Sequence, residues 1–132
     1  MRKAIRQRLI DKIPEIAGRV YEPSMAGPST KKPYIVLKYG GDIATSMRYG
    51  FEVPFEVWLY CERTTFKELD VLESKAIRAL LGVDLVSSSN QTFSMKYNGS
   101  SSDFYDEDWK ALTRRLDFRT DRIRGVKDEV KS

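Results

Sequence analysis

Two kinds of hydrophobic periodicity run along this 132-residue chain. In two segments apolar residues recur every three or four positions, which is typical of amphipathic helices. In the others apolar and polar residues alternate, as in strands with one buried face. The resulting order is helix, strands, helix, strands. It predicts an α+β domain in which a mostly antiparallel sheet is packed by two helices on one face.

The predicted first helix runs from Arg2 to about Ala17. Its apolar stripe has spacings of four, four and three, and consists of Ile5, Leu9, Ile13 and Ile16. Pro14 lacks an amide donor and clashes with the preceding turn, so we expect a kink or an end near Ile13. Arg19–Tyr21 then reads as a short strand, and residues 22–32 as an exposed loop.

The second helix is predicted from a capping signal, Thr64-Thr65 followed by Glu68, as far as Leu81, with Gly82 ending it. Its expected buried side consists of Phe66, Leu69, Leu72, Ala76 and Leu80.

Residues 33–39 are rich in β-formers and predict a strand before a turn at 40–42. The clearest strand extends from Tyr49 to Cys61, where strict alternation leaves Glu52, Glu56, Trp58 and Tyr60 facing outward. Pro54 predicts an edge or a bulge. Large aromatic side chains on that face indicate either a covering partner or a covering segment of the same chain.

Short strands are also expected at 83–86 and 92–97, and turn material at 98–103. The segment Ala111–Thr120 fits both periods, and we favour a strand. We assign residues 1–124 to one α+β domain and expect residues 125–132 to form a flexible C-terminal tail.

The composition excludes several kinds of catalytic site. There is no histidine, so Ser-His, Cys-His and His-zinc chemistry cannot be built from this chain alone. Cys61 is the single cysteine, which excludes an intrachain disulfide and a multi-thiol metal site. Lysine, tyrosine and carboxylates remain as possible catalysts. We therefore expect no enzymatic activity, no cofactor and no metal.

The densest carboxylate cluster is Asp103, Asp106, Glu107 and Asp108. It lacks the spacing and the central glycine of an EF-hand, so we interpret it as a solvated acidic loop that a basic patch on a neighbour would complement.

The strongest basic run consists of Arg114, Arg115, Arg119, Arg122 and Arg124. Interleaved with Phe118, it is compatible with nucleic-acid contact. Asp117 and Asp121 interrupt it, which favours ion pairing between subunits or a loose lining for DNA passing nearby.

Charge is unevenly distributed along the chain. The net charge is +5 over residues 1–33, −5 over 34–109 and +4 over 110–132. Such segregation suits a subunit that meets its neighbours through complementary charge, and it is equally compatible with a solvated surface of no electrostatic purpose. No apolar run approaches the ~20 residues needed to span a bilayer. No secretory signal is recognisable, so the cytosol is the expected compartment.

The order of these segments resembles the tail-terminator (tail-completion) proteins of long-tailed bacteriophages. The matching stretches are Gly18–Pro23, Lys32–Val36, Phe51–Trp58, Leu80–Gly82 and Arg115–Arg119.

The resemblance implies a virion protein of the phage neck, assembled in the host cytoplasm. It implies a homohexameric ring that ends tail-tube polymerisation, contacts the tail-tube protein and the head-side connector, and leaves a channel for DNA. The interface candidates are Trp58, Tyr60, Arg115 and Arg119. Two alternatives stay open, namely another head–tail joining protein (a stopper or adaptor) and a small basic nucleic-acid-binding domain.

Overall fold

A computed structural model describes residues 2–27, 29–40, 43–44, 51–62, 66–86, 92–101, 104–108 and 110–120. The helices are α1 (Arg2–Lys12) and α2 (Phe66–Leu80). The strands are β1 (Val20–Tyr21), β2 (Tyr34–Tyr39), β3 (Ile43–Ala44), β4 (Phe51–Glu52), β5 (Pro54–Cys61), β6 (Leu85–Val86), β7 (Thr92–Phe93), β8 (Met95–Ser100), β9 (Phe104–Asp106) and β10 (Ala111–Thr120).

The main sheet has six strands. Its order is β1-β2-β5-β10-β8, and β9 also pairs with β10, beside its first residues. Only the β1–β2 pair is parallel among these strands. Two further two-stranded ribbons join β3 to β4 and β6 to β7. This architecture confirms the predicted α+β class with a mostly antiparallel sheet.

Both helices contribute to one hydrophobic core with one face of this sheet. From α1 and its extension the core takes Ile5, Leu9, Ile13 and Ile16; from α2 it takes Leu69, Leu72, Ala76, Ala79 and Leu80. The facing strand residues include Ile35, Leu37, Phe55, Val57, Leu59, Leu112, Leu116 and Phe118. The stripe that the sequence predicts for the first helix is therefore buried as expected.

Pro14 ends α1 where the sequence predicts. The Ile13 amide still donates to the Leu9 carbonyl at 3.0 Å, and a 3-10 turn follows at Pro14–Ile16. A second 3-10 turn, Pro23–Met25, lies in the predicted loop.

The prediction that Phe66 is buried is wrong, because its side chain is 54% exposed. Phe66 has the spacing of the apolar stripe, but it is the first residue of α2 and the buried stripe begins one turn later, at Leu69. At the other end Gly82 takes a φ of +71°, the left-handed conformation that commonly follows a helix. The capping residues 64–65 lie outside the described part.

The single strand predicted over residues 49–61 is wrong in its continuity. The chain leaves the strand at Val53, whose amide donates to Thr120 Oγ1 at 2.8 Å and whose carbonyl accepts from the Thr120 amide at 3.0 Å. Pro54, which has no amide donor, then begins β5. The Gly40 amide donates to the Pro54 carbonyl at 2.8 Å, and a Cβ on Gly40 would lie 2.8 Å from Pro54 Cγ.

The turn predicted from residue 98 is also wrong for residues 98–100, which belong to β8. The register between β8 and β10 shifts between Asp117 and Phe118, and Gly99, opposite Asp117, has a φ of +117°. A glycine-assisted bulge lets this polar segment stay in the sheet. Residues 102–103 lie outside the described part, as do residues 121–132, so the predicted tail stays a prediction.

Candidate subunit-contact surface

The four interface candidates come from β5 and β10, which are neighbours in the sheet. Trp58, Tyr60, Arg115 and Arg119 lie on the sheet face opposite the helices, here called the outer face. Register places Trp58 beside Arg115, and Arg119 beside Pro54. The structure therefore brings all four to one face, as period-two alternation predicts.

One half of the outer face is closed by the chain itself. A second buried cluster forms there from Tyr34, Val36, Tyr60 and Ala111, with Tyr21, Ala26 and Trp58 packed against it. The Tyr34 and Tyr60 rings stack with centroids 4.8 Å apart, and Tyr21 meets Tyr34 edge-on at 5.9 Å. Ala26 directly follows the 3-10 turn, so part of the predicted loop lies over these rings. The sequence left two interpretations of the outward-facing aromatic residues, a covering partner or a covering segment of the same chain. In this half of the outer face the covering segment belongs to the same chain.

Burial in this cluster changes the acidity of the phenols. Loss of hydration, aided by the Asp106 carboxylate, raises the pKa of Tyr60 to about 12. Burial, with the nearby Tyr60 and Asp106, also raises the pKa of Tyr34 well above its usual range. Both phenols are therefore neutral near pH 7. Tyr60 is only 3% exposed, so it supports its neighbours rather than presenting a surface of its own.

The other half of the outer face carries mixed charge and is here called the open half. Its residues are Lys38, Glu56, Trp58, Arg115, Asp117 and Arg119. Trp58 Nε1 donates to Glu56 Oε1 at 2.8 Å, and Lys38 Nζ lies 4.4 Å from the centre of a Trp58 ring. Register places Lys38, Glu56 and Asp117 side by side across three strands.

The arginine beside Trp58 has a partner on its own strand. Arg115 Nε lies 3.0 Å from Asp117 Oδ1, and the two side chains are 37% and 34% exposed. Further along β10, Arg119 stands opposite Lys96 of β8. The open half therefore presents a partly buried indole among side chains of both charges, rather than a continuous basic strip.

Arg114 lies on the opposite face of β10 from Arg115. Its guanidinium pairs with Glu73 and, at 2.9 Å, with Asp70, both on α2. The predicted basic run is therefore divided in the described part, with Arg114 turned towards the helix and Arg115 and Arg119 towards the outer face. Sequence reasoning missed this pairing, although alternation places Arg114 in phase with Leu112 and Leu116, and Asp70 and Glu73 are three residues apart on a helix.

The single thiol is not placed for catalysis. Cys61 is completely buried in the main core, and burial, aided by the neighbouring Glu68, raises its pKa to about 12. Within the described ranges no group of three or more Cys, Asp or Glu side chains is arranged to hold a metal ion. Asp103 of the predicted acidic loop lies outside those ranges. No helix among the described residues is both long and apolar enough to cross a membrane.

The fold occurs in a known particle. Neither a protein family nor a curated protein sequence matches the chain. Among solved structures, it is similar to a chain of a structure described as the virion of a native gene transfer agent particle. The two superpose with a TM-score of 0.73 over 95% of each chain, at 21% sequence identity. At that identity, the likeness establishes a shared fold.

Proposed function

We propose that this chain is a structural protein of a phage-like virion, in which it acts by docking against other protein copies. The observation that carries the proposal is the fold match, because it extends over 95% of both chains and the neighbour belongs to a virion. The order of sequence segments supports the same class independently, since it resembles phage tail terminators.

In its finer form, the proposal is a homohexameric ring at the head-proximal end of the tail. The ring would end tail-tube polymerisation, join the tail to the head-side connector and let DNA pass without reading its sequence. A heterologous contact repeated around an axis closes into such a ring when its rotation divides a full turn.

We propose the open half of the outer face as a contact surface. Trp58 offers a large amphipathic ring, and Arg115 and Arg119 offer charge four residues apart on one strand face, about 13 Å along the strand. Tyr60 would hold the indole from beneath through the buried cluster.

We further propose that the chain has no catalytic activity. The complete absence of histidine and the neutral, buried Cys61 thiol support this view. A nucleic-acid-binding module is less well supported, because Arg114 is turned towards α2.

Deleting the gene in the virus that encodes the chain tests the role. We expect tails of uncontrolled length and heads without tails in electron micrographs of the lysate, both restored by the wild-type gene. Tails of normal length with detached heads would instead indicate a stopper or adaptor. Normal particles, or purified particles that lack the chain, would contradict the proposal.

A second experiment tests the surface. In complemented particles, Arg115→Glu combined with Arg119→Glu should abolish incorporation of the chain. Lys67→Glu makes the same kind of charge change at an exposed position of α2 and is the matched control. Equal incorporation of both variants would remove the open half from the proposal.

A further inference from the structure

A groove between the two helices is lined by positive charge on both sides. Its volume is about 360 Å³, and the residues that line it are Arg8, Lys12, Lys75, Arg78 and Ala79. Arg8 is fixed in place, because its Nε donates to the Ala79 carbonyl at 2.8 Å. We call this feature the basic groove.

The groove is incompletely neutralised. Lys75 pairs with Glu15 at 2.5 Å, and that contact lowers the pKa of Glu15. Within the described residues, the exposed Lys12 and Arg78 form no salt bridge with a carboxylate. Two like charges therefore face the groove, which favours an acidic occupant.

The chain itself carries a matching feature, the turn that joins β9 to β10. Residues 106–108 are all acidic, and the Asp108 amide donates to Asp106 Oδ1 at 3.0 Å, which shapes the turn. Glu107 and Asp108 are exposed. We call residues 106–108 the acidic turn.

The fold of one chain holds these two features apart. The acidic turn leads into Ala111, at the end of the sheet where Leu112 pairs with Cys61 and from which α2 begins. The basic groove lies along the second half of α2, whose end reaches Met95, the partner of Thr120 at the opposite end of β10. Lys75 and Arg78 lie nine and twelve residues along α2 from Phe66, roughly 14 and 18 Å at the helical rise.

From this arrangement we propose that the acidic turn of one copy docks in the basic groove of the next copy, head to tail. This inference deepens the proposed assembly role and rests on it. The contact is heterologous, so each copy uses both features at once, and repetition leads to a ring. Opposite charges at its two sides fix the orientation of neighbours and disfavour pairing of like sides.

Coupling of amines to carboxylates in purified particles tests the contact in its native setting. A zero-length carbodiimide should join Lys12 or Lys75 to Glu107 or Asp108, and mass spectrometry should identify the linked peptides. Because the fold of one chain holds the two features apart, a zero-length link between them joins two copies. Particles that contain the chain but give no such link would overturn this inference and leave the proposed function intact. Particles without the chain would overturn the proposed function itself.

Charge reversal then tests whether charge complementarity drives the contact. The turn variant is Glu107→Lys with Asp108→Lys, and the groove variant is Lys12→Glu with Arg78→Glu. Each alone should abolish incorporation into particles. Co-expression of the two, or all four substitutions in one chain, should restore it, because every turn then meets a groove of opposite charge. Lys67→Glu should behave as wild type.

Three results would overturn the inference. The first is normal incorporation of either single variant, and the second is failure of both rescue combinations while each purified variant keeps the wild-type melting temperature. The third is that the purified wild-type chain binds duplex DNA and the groove variant does not. That result would indicate that the groove binds phosphate groups rather than the acidic turn.

Discussion

Replacing Arg114 by methionine removes the ion pairs between β10 and α2 while keeping most of the aliphatic length of the side chain. The Arg114 side chain is 11% exposed, Glu73 is 22% exposed and Asp70 is 67% exposed. The pair with the exposed Asp70 contributes at most about 0.5 kcal/mol. The more enclosed pair with Glu73 contributes about 1.5–3 kcal/mol, as charge-assisted hydrogen bonds do.

We therefore expect Arg114→Met to lower the free energy of unfolding by about 2 kcal/mol. With an unfolding entropy of about 2.1 cal/mol/K per residue, that loss lowers the melting temperature by about 7 °C. Urea denaturation followed by circular dichroism measures the change. Asp70→Asn is the control and should cost no more than about 0.5 kcal/mol.

A double-mutant cycle separates the ion pair from other effects of the substitution. Arg114→Met and Glu73→Gln should be non-additive by at least about 1 kcal/mol, because each removes the same interaction. If the two losses in free energy of unfolding simply add, or if Arg114→Met is as stable as wild type, the Arg114–Glu73 contact does not hold α2 to β10.

Further predictions concern Gly40, Tyr34 and Cys61. Gly40→Ala should lower the free energy of unfolding by about 1–3 kcal/mol, since its Cβ would lie 2.8 Å from Pro54 Cγ. Gly27→Ala is the control and should be neutral or slightly stabilising in the same denaturation assay, because a Cβ there would have no atom within 4 Å. Equal effects of the two substitutions would contradict the close approach of Gly40 to Pro54. Tyr34→Phe should not destabilise the fold, because the Tyr34 hydroxyl is buried and has no hydrogen-bond partner among the described residues. Tyr34→Leu should lower the free energy of unfolding by about 1 kcal/mol or more, because it removes the ring that stacks on Tyr60. A large loss of stability on Tyr34→Phe would reveal a partner for the hydroxyl. Burial raises the pKa of the Cys61 thiol from 9.0 to about 12, so the thiol should not react with a thiol-reactive dye at pH 8 until the chain unfolds. Rapid labelling of the folded protein would contradict the burial of Cys61. Because the folded chain retains a proton that the unfolded chain releases, stability should fall as the pH rises above 9.0, and Cys61→Ala should remove part of that slope.

Much of the fold follows from periodicity alone. The stripe Ile5–Ile16 and the alternation in β5 and β10 correctly predict which side chains are buried against the helices, because burial on one face imposes a fixed period. The errors arise where another constraint prevails over local pattern. Val53 leaves the strand to bond with Thr120, 67 residues away, which no local signal encodes. Likewise, Asn98–Ser100 has the composition of a turn, but pairing with β10 keeps it in the sheet.

The proposed contact surface was partly predictable for the same reason. Alternation correctly places Trp58, Arg115 and Arg119 on the outer face, yet it cannot show that Tyr60, on that same face, is covered by a loop that lies some 35 residues earlier in the sequence. The basic groove was not predicted at all. Its charges come from two helices that are separated in sequence by three of the six strands of the main sheet, and only their packing brings them together.

Arg114 and Arg115 are adjacent in sequence and identical in chemistry, yet the pleat of β10 gives them different tasks. Arg114 pairs with α2 of its own chain, while Arg115 lies on the outer face. Substitution at 114 should therefore follow changes at Glu73 within the same polypeptide, while under the proposed docking role substitution at 115 should follow changes at Asp117 and in the neighbouring copy. In a set of diverged relatives these two neighbouring positions should vary independently of each other.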